Sequence, residues 1–183
     1  MLAMGVLFDY FAAGSDEEAT AVIDRVGGPG SNAFSPSAPP APARGWLGRK
    51  RSAPQPPVTD PESVEFDTIS VTGIDPVVQL GTLEELLSGK SYDDIADDPD
   101  GAKVLESRDD GERLVCSISQ GLTAALATAT REDLERVAKP WSQTEEFWGE
   151  GDPAQLLEFL RAMAVLVQRS QAKGQGLYCF VSV

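Results

Sequence analysis

The order of apolar and polar positions divides this chain into blocks, and each block predicts an element. Met4 to Ala12 carries Val6, Leu7, Phe8, Tyr10 and Phe11, all good strand formers, and predicts an opening strand. Ser15 followed by Glu18 is a capping box, and Ala19, Val22 and Ile23 supply an apolar stripe for a helix running through Arg25. From Phe66 to Thr72, Ile69 and Val71 alternate with polar neighbours, the pattern of a strand with one apolar face. Thr82 with Glu85 reads as a second capping box, opening a short helix that carries Leu83, Leu86 and Leu87 and stops at Gly89. Tyr92 and Ile95 predict another short helix ended by Pro99.

Val104–Ser107 and Glu112–Ser119 flank Asp110-Gly111, a strong hairpin signal. Leu122 to Thr128 is alanine-rich and helical. Thr130 with Asp133 caps a helix carrying Leu134, Val137 and Ala138, which is predicted to stop before Pro140. The clearest element is the helix from Pro153 to Lys173. Asp152 is its N-cap, Pro153 takes the first helical position, and Leu156, Phe159, Leu160, Met163, Leu166 and Val167 form a wide apolar stripe. Leu177 to Val183 is apolar on both faces except at Ser182, as a buried interior strand reads. The sum is one α+β domain over 1–183: a mixed or antiparallel sheet of about five strands packed with helices.

The stretch 27–61 breaks the pattern. It holds nine of the thirteen prolines, and from Gly27 to Thr59 it has no acid while carrying Arg44, Arg49, Lys50 and Arg51. That composition buries too little surface to offset chain entropy, so a disordered or loosely docked basic insert is predicted.

Charge changes the picture next. The 183 residues carry 15 Lys and Arg against 29 Asp and Glu, net −14. With the four cations of the insert set apart, the remainder holds 11 basic against 29 acidic side chains, net −18. Such a surface repels nucleic acid, whose affinity comes from cations on phosphates, and repels anionic membranes. It favours a basic protein partner, or serves solubility alone. No run reaches the length of a membrane span, and the opening residues lack the basic start of a signal peptide, so a cytoplasmic protein is predicted.

The chain has no histidine, which excludes Ser-His and Cys-His nucleophiles and histidine metal sites. Its two cysteines, Cys116 and Cys179, stand in apolar strand-like runs and read as small hydrophobes. Gly28-Pro29-Gly30 runs into proline-rich chain rather than a helix and is no dinucleotide loop. The acids Asp93, Asp94, Asp97, Asp98 and Asp100 fail the calcium-loop spacing: with Gly101 as the turn glycine, Ala96 and Ser107 occupy ligand positions. Catalytic residues, a metal site and a cofactor are therefore all predicted to be absent.

The segment Trp141 to Trp148 packs three aromatics around Glu145 and Glu146. It has three readings: a loop lidding the core with its aromatics beneath, a binding surface centred on Glu145, Glu146, Trp148 and Trp141, or a catalytic carboxylate pair.

The order of features from Ile118 onward resembles the YfbM-like family of uncharacterised bacterial proteins. The matching features are Leu122 and Leu126, a short helix ending near Trp141, the long helix with Leu156, Phe159 and Leu160, and the apolar C-terminal strand. Met4-Gly5 followed by a strand and helix fits as well. The chain departs from that family in lacking its central histidine-containing segment and in carrying the proline-rich insert. The Arg-over-Lys bias with abundant Ala, Gly and Pro is similar to that of high-GC bacterial proteins. The resemblance implies a fold and no activity.

For function, the favoured reading is an acidic protein-binding protein, in its concrete form an immunity protein neutralising a basic toxin or nuclease. The alternatives are a carboxylate-dependent hydrolase and a regulatory or scaffold module acting through the insert.

Overall fold

The computed structural model describes residues 6–25, 27–30 and 65–183. The insert predicted over 27–61 lies outside the described residues except for its first four. Those four form a turn against the sheet, in which Pro29 is buried.

Five strands make one antiparallel sheet: β1 (Leu7–Ala13), β2 (Thr68–Thr72), β3 (Lys103–Arg108), β4 (Arg113–Ser117) and β5 (Gly176–Ser182). Their order is β2-β1-β5-β4-β3. The described residues also hold six α-helices: α1 (Asp16–Thr20), α2 (Val78–Ser88), α3 (Tyr92–Ala96), α4 (Gln120–Thr128), α5 (Arg131–Ser142) and α6 (Pro153–Ala172). This is an α+β fold, as the pattern predicts, and the mixed-or-antiparallel alternative resolves to antiparallel.

The unbroken apolar runs become the central strands because a central strand must be apolar on both faces. β1 and β5 pair from Leu7↔Ser182 to Ala13↔Gly176, and β5 is buried from Leu177 to Val181. Phe8, Tyr10 and Ala12 of β1 join Leu177, Cys179 and Val181 of β5 on one face, under Leu80, Leu122, Leu126, Val137, Leu160 and Met163 of α2, α4, α5 and α6. Phe11, Ala13, Val115, Tyr178 and Phe180 face the other way. They meet Ala19, Val22 and Ile23 of α1 and the 3₁₀ turn after it, together with Phe66. Tyr178 donates its hydroxyl to Asp16 Oδ1 at 2.9 Å and Arg113 donates to the Ile23 carbonyl at 2.6 Å, which ties this smaller layer to the sheet.

Local signals explain most boundaries. Thr130 and Asp133 form a complete capping box on α5, and Asp152 accepts from Ala154 N at 2.8 Å at the start of α6. The Asp110-Gly111 hairpin joins β3 to β4 through three successive left-handed residues, Asp109, Asp110 and Gly111.

Four predicted boundaries are corrected. The capping box at Thr82 and Glu85 does not open a helix. α2 begins at Val78, where Asp75 Oδ1 accepts from Val77 N at 2.7 Å and Val78 N at 2.9 Å, and Thr82 is buried inside it. Pro140 does not end α5, which runs on to Ser142. Proline deletes one backbone bond, but the extra turn adds Trp141 to the row Leu134, Val137, Ala138, and burial of that indole outweighs the loss. The first helix is shorter than predicted and passes into a 3₁₀ turn at Ala21–Asp24, while Glu18 reaches back to Gly14 N rather than Ser15 N. α3 stops at Ala96, ahead of Pro99.

Candidate functional site

The segment after α5 turns sharply because its backbone bonds close on themselves. Thr144 N donates to the Trp141 carbonyl at 3.2 Å, Trp148 N to Glu145 at 2.8 Å and Gly149 N to Thr144 at 3.1 Å. Gly151 N then donates to the Ser142 carbonyl at 3.1 Å, and a Cβ on Gly151 would lie 2.8 Å from that same oxygen. Trp148 is held in the left-handed region at φ 56°, where a bulky side chain costs about 1–3 kcal/mol. The result is an indole that is 90% exposed.

Beside it lies a groove of about 470 Å³ between the end of β2 and the start of α6. Its apolar floor is Ile74, Phe147, Leu156 and Phe159; Glu146, Glu150 and Asp152 supply its charge, and Trp148 stands at its edge. A second hollow of about 320 Å³ shares Thr72, Gly73 and Gln79 with it and adds Asp75. Among the described residues no Lys or Arg lines either one, so their lining charge is of one sign. Gln79 Nε2 donates to the Glu146 carbonyl at 3.0 Å and fastens the turn to α2.

The four residues predicted as a binding surface divide. Glu146 and Trp148 line the groove. Glu145 is exposed next to it but does not line it. Trp141 is the correction: it has no exposed surface and cannot touch a partner. Its Nε1–H donates to the Gln79 carbonyl at 2.9 Å, and Phe147 meets it edge-on at 5.3 Å between centroids. The loop-as-lid reading therefore holds for Trp141 and fails for Trp148. Sequence reasoning missed Asp75, Glu150 and Asp152. The first and last are disguised as helix caps, and only the fold brings Glu150 and Asp152 to the groove and Asp75 to the hollow beside it.

The other titratable groups do other work. Cys116 and Cys179 stand opposite each other on β4 and β5, both free and buried. Burial pushes the Cys116 thiol up to about 11 and the Cys179 thiol well above its usual value, which disfavours the nucleophilic thiolate in both. Asp98 is held below the usual carboxylate range, first by the Asp100 N–H and then by Lys90, as a self-satisfied acidic loop. Among the described residues no cluster of three or more acidic or cysteine side chains is arranged to hold a metal ion. None of the described helices is long and apolar enough to cross a membrane.

No protein-family model, curated protein or solved structure matches this chain. The YfbM-like resemblance thus rests on its residue pattern alone.

Proposed function

We propose that this chain is an acidic protein-binding protein that receives an Arg or Lys side chain of a basic partner in the groove at Trp148. Immunity toward a basic toxin or nuclease is the concrete form. The observation that supports it is an indole held outward at the edge of a groove whose charged lining, among the described residues, is all acidic. A cation entering there meets carboxylates and an aromatic face together, and both attract it. The YfbM-like kinship and a cytoplasmic location belong to the same proposal, and two unlinked cysteines facing across β4 and β5 fit a reducing compartment. The hydrolase alternative, which needs two carboxylates across a cleft, loses its Glu145–Glu146 pair, because Glu145 stands outside the groove that Glu146 lines.

The test starts from affinity capture of the partner and continues with surface plasmon resonance. Glu145→Lys with Glu146→Lys is expected to slow association about tenfold or more at low salt, with the difference shrinking at high salt. Trp148→Ala is expected to speed dissociation, at a cost of about 2 kcal/mol if the indole is a hot spot. Neither change should move the melting temperature by more than a degree or so, because these side chains are at the surface. Binding that survives both changes, or that ignores salt, defeats the proposal.

A further inference from the structure

Glu84 is out of place for a charged residue. It is 2% exposed on α2, it takes part in no ion pair, and its carboxylate accepts no hydrogen bond among the described residues. No fully enclosed side-chain oxygen there lacks a partner, so the sliver of surface that Glu84 keeps is at its oxygens. Burying a carboxylate without a donor is strongly unfavourable unless something else compensates.

One glycine makes room for it, and a second for the Tyr92 ring that lines the same cavity. A Cβ on Gly121, in the first turn of α4, would collide with Glu84 Oε1, and a Cβ on Gly81, inside α2, would lie 2.8 Å from the Tyr92 ring. Glycine weakens a helix, so both positions trade helix stability for the close approach of a neighbouring side chain.

Glu84 opens into a cavity of about 110 Å³ between α2, α3 and the start of α4. Its walls are apolar, chiefly Leu80, Ile95 and Leu122, with Ser119 near the carboxylate end. Val77, 43% exposed, and Ala96, also exposed, mark the mouth. Val77, Leu80 and Glu84 follow one another along a single face of α2, so the space is a slot with the carboxylate at its inner end. Among the described residues no Lys or Arg lines it.

We infer that this slot binds a primary alkylammonium group, its head on the Glu84 carboxylate and its stem on Leu80, Ile95 and Leu122. The chemistry follows from the lining: one unpartnered anion wants a compact cation with several donors, and the apolar walls want a short hydrocarbon. The size follows from the volume. An engineered cavity of about 150 Å³ in another protein holds benzene, so this smaller one suits about four or five heavy atoms. A lysine stem of about four carbons with its ammonium is that size, as is a free short-chain amine. The slot is separate from the groove at Trp148, and the inference does not depend on the reading given for that groove.

Calorimetric titration of the full chain with n-butylammonium, n-butanol and butyrate at matched ionic strength tests this. The expected result is saturable one-to-one binding of n-butylammonium, about tenfold or more tighter than n-butanol, with butyrate not binding. Glu84→Gln, which keeps the shape and removes the charge, is expected to lose about tenfold or more of the ammonium affinity, while Glu132→Gln, on the exposed side of α5 away from slot and groove, leaves it unchanged. Nα-acetyl-lysine methylamide binding as well as the free amine would make a partner's lysine the source; binding of the free amine alone would make it a small molecule. Absence of saturable ammonium binding, equal binding of n-butanol, or full affinity in Glu84→Gln overturns the inference. Should Glu84→Gln fail to fold, the comparison of ammonium with alcohol on the unmodified chain decides.

Discussion

The two faces of the sheet are built to different standards. Four helices cover one face and bury Trp141, Leu160, Met163 and Leu166 almost completely. Among the described residues, the other is covered by one short helix, a 3₁₀ turn, the turn at 27–30 and Phe66. It is also the face on which Asp9, between Phe8 and Tyr10 in β1, turns a carboxyl inward to accept a hydrogen bond from Ser70. The thinner layer holds that group by a hydrogen bond, and local hydrogen bonds such as Tyr178 to Asp16 do the fastening that apolar area does on the first face.

Three measurements break or sharpen that contrast. The largest effect is expected for Trp141→Ala, which removes a fully buried indole together with the hydrogen bond it donates to the Gln79 carbonyl. Urea unfolding should show a loss of about 3–5 kcal/mol. Phe66→Ala, on the thinner face, is expected to cost about 2 kcal/mol, since Phe66 packs on Phe11 at 5.3 Å but lies at the margin of its cluster. Equal losses from the two substitutions would mean that the thin face is a core of the same quality.

The smallest effect has the opposite sign. Burial raises the Asp9 carboxyl above its ordinary value, only partly offset by the Ser70 hydrogen bond. The folded state therefore holds a proton that the unfolded chain releases near 3.8, and the charged form weakens the fold at neutral pH. Asp9→Asn, which keeps an acceptor for Ser70, should raise the melting temperature at pH 7. The gain should shrink as pH falls through the raised value toward the ordinary one. A melting temperature lowered at neutral pH would show that the charge is welcome there.

The sequence was most legible where a local signal and burial agree. Asp152-Pro153 and the stripe from Leu156 to Val167 give α6 nearly to the residue, and the doubly apolar Leu177 to Val181 marks the central strand. It misled where a local signal met a competing one. Thr82 and Glu85 have the spacing of a cap but stand inside a helix already begun by Asp75. Pro140 carries a stop signal that Trp141 overrides by packing at the same helical spacing as Val137 and Ala138. The site was half legible. Glu146 and Trp148 stood out by composition, but the outward throw of Trp148 depends on a left-handed residue that side-chain pattern does not encode. Glu84 was hidden by the same shift that moved α2: with the helix starting at Val78, Leu80 joins Leu83, and Glu84 falls one turn after Leu80 on the inward face.

The pairing of β1 with β5 has a kinetic consequence. Residues 7–13 find their central partner only in residues 176–182, so the middle of the sheet joins the two most distant strands. On a ribosome adding about 5–20 residues per second, β1 would wait roughly ten to thirty seconds for that partner, with only β2 to pair with meanwhile. The helices can assemble early through local contacts, but sheet closure is a late event set by translation rather than by diffusion. Slowing synthesis should therefore prolong the period in which Phe8 to Ala13 depend on a chaperone, without altering the protein that finally emerges.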